Sequence, residues 1–548
     1  MKLTGFLFAA ALLGACTQPA AEENYTRHVD PKIGTGGHGH VFVGANVPFG
    51  LVQVGPTSIP QMWDWCSGYH ASDSTVIGFS HTHLSGTGIG DLFDVTVMPV
   101  TGDVTYARGT EDDPTSGLWS YADRTQEIAR PGYYSVPLTR YGIRAELTAT
   151  ARVGLHRYTF PASEKAAVVF DLENGGCWDK ATETHLAKEG DRTVTGWRHS
   201  TGWAKDQRVY FVAEFSKPFE KFETIGDNYA RASFRTTDGE QVSLKVALSP
   251  VSVEGAKANL AAELSGWDFD ATAKAADKAW NDELSKVKIE TADETARRIF
   301  YTALYHTMIA PSLFCDVNGD YRGADGAVRR DTTFTNYTTF SLWDTYRAAH
   351  PLLTLIHPEK VGDLINTMLR IHEQQGKLPV WHLMGCETDC MVGNPAIPVV
   401  ADALLKGFGG FDRAKAYEAM KSSAMRDDRR LDLYKRYGYI PYEFNESVGY
   451  CLEYAIADWA LAQAAQREGK REDYDYFLAR SKAYRHYFDP STGFIRGRSA
   501  SGAWRTPFDP FHSRHMEQDY TEGNAWQYTW LVPHDIEGLM ECFGGRER

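Results

Sequence analysis

The segment Asp519-Tyr520-Thr521-Glu522-Gly523-Asn524-Ala525-Trp526-Gln527-Tyr528 sets the carboxylic acid of Glu522 beside two amides and among aromatic rings, a composition suited to holding a sugar and protonating its leaving oxygen. Two further acidic sites lie in apolar surroundings, where charge is costly unless it is used. One is Asp344, beside the indole of Trp343 in Ser341-Leu342-Trp343-Asp344-Thr345-Tyr346-Arg347. The other is the pair Glu387 and Asp389 in Leu378-Pro379-Val380-Trp381-His382-Leu383-Met384-Gly385-Cys386-Glu387-Thr388-Asp389. Asp344 reads equally well as an acid favouring a helix N-terminus and as a carboxylate accepting from two sugar hydroxyls. Inverting glycoside hydrolysis needs an acid for the leaving oxygen and a second carboxylate to activate water, set farther apart than in a retaining pair. Glu522 is assigned the acid. From spacing alone its partner is Asp344, Glu387, Asp389 or a residue beyond Arg548.

Three amino-terminal segments add polar groups and rings. Trp63-Asp64-Trp65-Cys66-Ser67-Gly68-Tyr69-His70 packs aromatics, a hydroxyl and a glycine into one short loop, which fits a ring under a sugar as well as a piece of core. The runs Ile33-Gly34-Thr35-Gly36-Gly37-His38-Gly39-His40 and Phe79-Ser80-His81-Thr82-His83-Leu84-Ser85-Gly86-Thr87-Gly88 place paired histidines on one face of an extended chain. Metal binding by them lacks a carboxylate at ligand spacing, and the glycines follow no strand-to-helix fingerprint for phosphate. Structural histidines under a loop, histidines bonded to a polar ligand and, least favoured, metal binding are the readings left open.

The elements that must position these groups divide the chain. Residues 25–254 carry period-two apolar runs, such as Ile143, Ala145, Leu147 and Ala149, or Val242, Leu244, Val246 and Leu248, with turn formers between them; a β-sandwich is predicted. Residues 255–290, rich in Ala and Lys, read as a helical linker. Residues 291–548 are predicted helical, opening on the capping-box pattern Thr291-Ala292-Asp293-Glu294. A helix follows from Ser447 with a face of Val448, Leu452, Ala455, Trp459 and Ala462, and other helices are predicted near 341–356, 359–375, 395–407, 411–425, 470–487 and 522–543. About eight helices on short loops suit a toroid of hairpins better than a bundle.

Composition bounds the function. At 548 residues with 43% hydrophobic content the chain supports at least two cores, and a net charge of −14 without a basic stripe argues against a nucleic-acid partner. Residues 1–16 read as a lipoprotein signal: Lys2, a short apolar run, then Leu13-Gly14-Ala15-Cys16, which resembles a bacterial lipobox. Attachment to a membrane is expected only through a lipid on Cys16, giving an exported lipoprotein of the bacterial cell envelope, periplasmic or at the outer-membrane surface. Seven cysteines remain after Cys16, so at least one thiol is free. Buried or site-lining thiols are expected.

Six segments together resemble glycoside hydrolase family 92, the exo-acting α-mannosidases. They are residues 30–40, Cys66-Ser67-Gly68-Tyr69-His70, residues 78–88, Ser341-Leu342-Trp343-Asp344-Thr345, Glu387-Thr388-Asp389-Cys390 and residues 520–528. The resemblance implies an N-terminal β-sandwich, a helical linker and a C-terminal (α/α)6 barrel with the site at their interface. It implies calcium-assisted, inverting removal of non-reducing terminal α-mannose from mannose-containing glycans. By motif, Glu522 matches the catalytic acid and Asp344 an acid that grips the terminal mannose. Trp65, Cys66, Ser67 and Trp343 match site lining, and Glu387 and Asp389 are carried as substrate-binding acids. The family's catalytic base and most calcium-binding positions belong to an acidic Asn/Asp/Gly motif after the Tyr-Thr-Glu-Gly-Asn stretch, and this sequence lacks it. The barrel is therefore expected to be incomplete and residues 1–548 inactive, with the metal ligands unassigned. A non-catalytic mannoside-binding lipoprotein and a sandwich-plus-barrel glycoside phosphorylase are the alternatives.

Overall fold

The computed structural model describes residues 23–60 and 62–547. The expected lipobox Cys16 and its leader lie outside the described residues. The period-two runs form two antiparallel sheets. Six strands run in the order Gly55–Thr57, Gly78–Ser80, Thr96–Thr101, Ser163–Asp171, Tyr229–Thr236 and Lys221–Ile225. Eight run in the order Lys180–Glu189, Thr193–Thr201, Gln207–Phe215, Glu240–Ser249, Val153–Phe160, Ile143–Ala149, Tyr133–Leu138 and Ile128–Arg130. Their apolar faces meet in one core, with Phe170 of the smaller sheet stacked 6.2 Å from Phe211 of the larger. This is the β-rich N-terminal domain followed by a helical domain that the sequence predicts.

The helices Val253–Glu263 and Phe269–Leu284 lie on the outer face of the larger sheet and bury Val153, Leu155, Val212 and Ala247 against Ala256, Leu264, Phe269 and Ala273. That cover explains why the strand Glu240–Ser249 is buried on both faces along much of its length. Even Lys245 is inside, its ammonium 3.9 Å from the Trp267 ring centre.

The helix predicted from Thr291 begins instead at Glu294: the Asp293 carboxylate accepts from the N–H groups of Thr295 and Ala296, an N-cap two residues later than Thr291 would give. The single helix predicted over 522–543 is two, Ala525–Tyr528 and Ile536–Phe543. Pro533, which lacks an N–H, stands between them. The region 341–356 likewise splits into Leu342–Thr345 and Ala349–Ile356, and a helix that the periodicity missed spans Leu431–Tyr437. At the centre lies Ser447–Arg467, buried on nearly every side rather than along one stripe.

The two halves are continuous. Phe314, Tyr321, Trp381, Leu383 and Met384 of the helical half belong to the sandwich core. Arg322 donates to the carbonyls of Asp206 (3.0 Å) and Met384 (2.6 Å), and Trp280 Nε1 donates to Asn46 O (2.7 Å).

Candidate active site

Two of the segments singled out in the sequence are brought together by short pairings. Phe340–Ser341 pairs with Trp381–Leu383, which pairs with Cys386–Glu387, so the turn bearing Asp344 lies beside the strand bearing Glu387. The segment 519–522 is pinned to the start of the long central helix: Val448 N–H donates to Asp519 O (2.9 Å), Ser447 Oγ to Asp519 Oδ1 (3.1 Å) and Thr521 Oγ1 to Glu446 Oε1 (2.8 Å). Gly449 is required there, because a Cβ would come within 2.6 Å of Thr521 Oγ1.

Glu522 sits in that anchored segment with φ +47°, a left-handed conformation that non-glycine residues adopt only when their surroundings impose it. The sequence suggests a buried acid; the side chain is exposed, because the turn turns outward before Asn524 caps the helix Ala525–Tyr528. Among the described residues it has no hydrogen-bond or ion-pair partner. Its carboxyl is nonetheless raised above the ordinary range, first by partial desolvation, then by the negative charges of Asp344 and Glu446, with His515 acting in the opposite sense. The amides expected to hold a sugar are otherwise engaged. Asn524 Oδ1 accepts from Gln527 N–H and Gln527 Oε1 from Asn524 N–H, a reciprocal capping box.

Asp344, also exposed, accepts from Ser341 Oγ at 2.5 Å. It borders a cleft of about 140 Å³ whose walls come from both halves: Ser85, Gly86 and Thr87 from the sandwich, and His306, Thr307, Pro311 and Thr339 from the helical domain. Trp343 is half-buried and donates from its indole to Glu453 Oε1 (3.1 Å). Glu453 is buried within the central helix, and it also accepts from Tyr346 OH (2.7 Å) and pairs with Arg347 at 2.5 Å. Burial raises its carboxyl, against the pull of Arg347, Tyr346 and Trp343. Sequence reasoning missed both Glu453 and Glu446. Nothing in the Trp343 motif names Glu453; only the fold shows which acid receives the indole.

The remaining predicted residues have local partners. Glu387 Oε1 accepts from the N–H groups of Trp381 (2.8 Å) and Asp389 (3.0 Å), and Oε2 from Val380 N–H (2.9 Å) and Gln375 Nε2 (3.3 Å), so both oxygens are engaged in holding the chain. Asp389, exposed and at φ +54°, pairs with Lys377 and with Arg429. On the sandwich, Trp65 Nε1 donates to Asp73 (3.1 Å) and its ring lies 4.5 Å from that of His70, Ser67 Oγ donates to His40 O (2.5 Å), and Cys66 is fully buried. Trp63 is the more exposed indole of that loop. It donates to Gly88 O (3.0 Å), and His40 packs edge-on against it at 4.3 Å. With Gly86 N–H on His40 O (2.7 Å), the three Gly/His/Trp segments form one cluster, and its Ser85-Gly86-Thr87 edge is a wall of the Asp344 cleft. His81 and His83 belong to the buried interior, where desolvation lowers them to about 3 and about 4; His81 Nε2 lies 2.9 Å from His156 Nε2.

The calcium ion that the resemblance implies would take oxygen donors, from carboxylates and from carbonyls. Among the described residues no group of three or more His, Cys, Asp or Glu side chains is placed to hold a metal, and the acids around Glu522 bond to Ser341 and Thr521. What the arrangement supplies chemically is an unpartnered carboxyl, biased toward its protonated form, near a second acid at a cleft between two domains.

Family models decide the lineage: the glycosyl hydrolase family 92 N-terminal domain matches residues 28–249 and the family 92 catalytic domain matches residues 255–548. The chain belongs to glycosyl hydrolase family 92. Among solved structures of this family, the α-mannosidase BT3965 of Bacteroides thetaiotaomicron in complex with mannoimidazole is 39% identical, covering 95% of this chain and 72% of that one with a TM-score of 0.92. The family 92 inverting mannosidase BT2199 of the same organism is 29% identical over 97% of this chain and 73% of its own, with a TM-score of 0.86. An uncharacterized secreted glycosidase of Arthroderma benhamiae is 24% identical, over 96% of this chain and 73% of its length. The family 92 fold thus accounts for both the sandwich and the helical half.

Proposed function

We propose that this family 92 protein acts on non-reducing terminal α-mannose of glycans as an exo-acting, inverting, calcium-dependent α-mannosidase. The observation that carries the reading is Glu522: a carboxyl without a hydrogen-bond partner among the described residues, raised by partial desolvation and by Asp344 and Glu446, in the segment that matches the family's catalytic acid. In this role the Glu522 proton passes to the departing glycosidic oxygen, while Asp344 accepts from sugar hydroxyls. The α-mannosidase and inverting-mannosidase relatives support the substrate and the stereochemical course. Calcium enters through the resemblance alone.

A second reading has its own support. The acids nearest Glu522 are engaged, Asp344 with Ser341 and Glu446 with Thr521, and Glu387 holds the main chain. No described residue is therefore assigned as water-activating base, and residues 1–548 are proposed to bind mannose without turning it over. Export through the Cys16 signal fits the secreted relative, and no described helix is long and apolar enough to cross a membrane.

Incubation of the protein with an aryl α-mannoside, with and without chelator and phosphate, and with the first-released anomer read by proton NMR, separates the cases. Chelator-sensitive release of β-mannose is expected of the enzyme. Release of α-mannose removes the inverting mechanism, undiminished turnover under chelation removes the calcium, mannose 1-phosphate identifies a phosphorylase, and binding without turnover establishes the second reading.

A further inference from the structure

Cys66, which the resemblance counts as site lining but which is fully buried, and Cys177 stand apart from the other thiols. They are 111 residues apart in sequence, and their sulfurs face each other at 3.7 Å. Both backbones are held. Cys66 ends the turn Trp63–Trp65, its N–H on Trp63 O (3.1 Å), while Cys177 lies between Gly176, whose N–H donates to Leu92 O (3.0 Å), and Trp178, whose N–H donates to Gly90 O (2.8 Å). The segment around Gly90 presses so closely that a Cβ there would stand 2.5 Å from Cys177 Sγ, which limits how far this thiol can swing away. Access differs across the pair: Cys66 is fully buried and Cys177 is half-buried.

We propose that Cys66 and Cys177 are a disulfide-forming dithiol that closes under oxidising conditions and ties the Trp63–Trp65 turn to the Cys177-Trp178 segment. The oxidant is a disulfide, such as oxidised glutathione or an oxidised dithiol protein. Cys177 thiolate attacks one oxidant sulfur and expels the other as a thiolate, giving a mixed disulfide. Cys66 then attacks Cys177 Sγ and expels the second thiolate, and the protons lost by the two cysteines end on the two released thiols. Two electrons pass from the protein to the oxidant, and one disulfide replaces another. The order follows from access, and from charge as well: the hydrogen bond from Cys66 lowers the Cys177 thiol, helped by Arg108, while the same bond and burial raise Cys66. Closing so long a loop constrains the unfolded chain strongly, so the oxidised form should melt higher.

The folded chain is equilibrated in reduced and oxidised glutathione, quenched by alkylation and mapped by non-reducing peptide mass spectrometry. The expected result is one linked peptide joining Cys66 to Cys177, two hydrogens lighter than its parts, with two fewer titratable thiols and a Tm higher by a few degrees, all reversed by dithiothreitol. Cys177→Ser should abolish the link and the Tm gain; Cys177→Ala serves if the serine form does not fold, and the wild-type map decides by itself. Unchanged thiols in the folded chain, a persistent glutathione adduct on Cys177, or a link from either residue to another cysteine would overturn the proposal.

Discussion

Two acidic segments look alike in sequence and are used differently. Glu522 and Glu387 each stand among rings and apolar residues. Glu387, however, is wrapped by three main-chain N–H groups and an amide, whereas Glu522 is left with neither oxygen hydrogen-bonded to a described residue. A carboxylate enclosed by main-chain donors is a structural tie, because those donors would otherwise be left without a partner. An unpartnered carboxyl beside other acids retains its proton more readily and keeps its lone pairs for a ligand. What separates them is therefore what surrounds the oxygens, and the local peptide carries little of that information.

The largest effect expected from this contrast follows from Glu522→Gln. The amide keeps the shape but has no proton to give, so turnover of α-mannosides with poor leaving groups should fall by roughly 10²- to 10⁴-fold. An activated aryl leaving group should lose much less. Because the side chain is exposed and unpartnered, the urea midpoint should stay close to wild type. Equal losses on both substrates, or none, would remove Glu522 from the acid role.

Glu387→Gln should do the reverse. An amide offers one accepting oxygen where the carboxylate offers two, and turns its NH₂ toward N–H groups that need an acceptor. A loss of about 1–3 kcal/mol in stability is expected, seen as a lower urea midpoint with an unchanged slope. Weaker mannose binding at unchanged stability would return Glu387 to the ligand.

How far the sequence revealed this depended on periodicity. Ile143 to Ala149 and Val242 to Leu248 announced their strands by alternation, and all eight of those apolar residues are buried, although several residues between them are buried as well. The central helix Ser447–Arg467 is covered on nearly all sides, beyond the one apolar face that its sequence displays, so Glu453, whose partners lie more than a hundred residues away at Trp343, Tyr346 and Arg347, gave no local signal. Glu446 was hidden for a related reason: its partner Thr521 is 75 residues distant. Asp344 and Glu522 were visible because their segments are distinctive, while the amides beside Glu522 misled, since Asn and Gln three residues apart are also the chemistry of a helix cap.

The finest distinction concerns protonation. Partial desolvation, Asp344 and Glu446 hold the Glu522 proton, and His515 opposes them. Glu446→Gln removes one negative charge, while its amide oxygen can still accept from Thr521 Oγ1. With that charge gone the deprotonated form of Glu522 costs less, so its titration must move to lower pH. As general acid Glu522 works only while protonated, so the alkaline limb of the pH–rate profile should move to lower pH, with the same displacement in a carboxyl-carbon NMR titration of Glu522. Asp344→Asn, which removes the larger of the two charge effects, should move the NMR titration further in the same direction, and His515→Ala should move it the other way. If none of the three substitutions displaces the titration, burial alone raises Glu522, and the neighbouring acids contribute to geometry rather than to the proton.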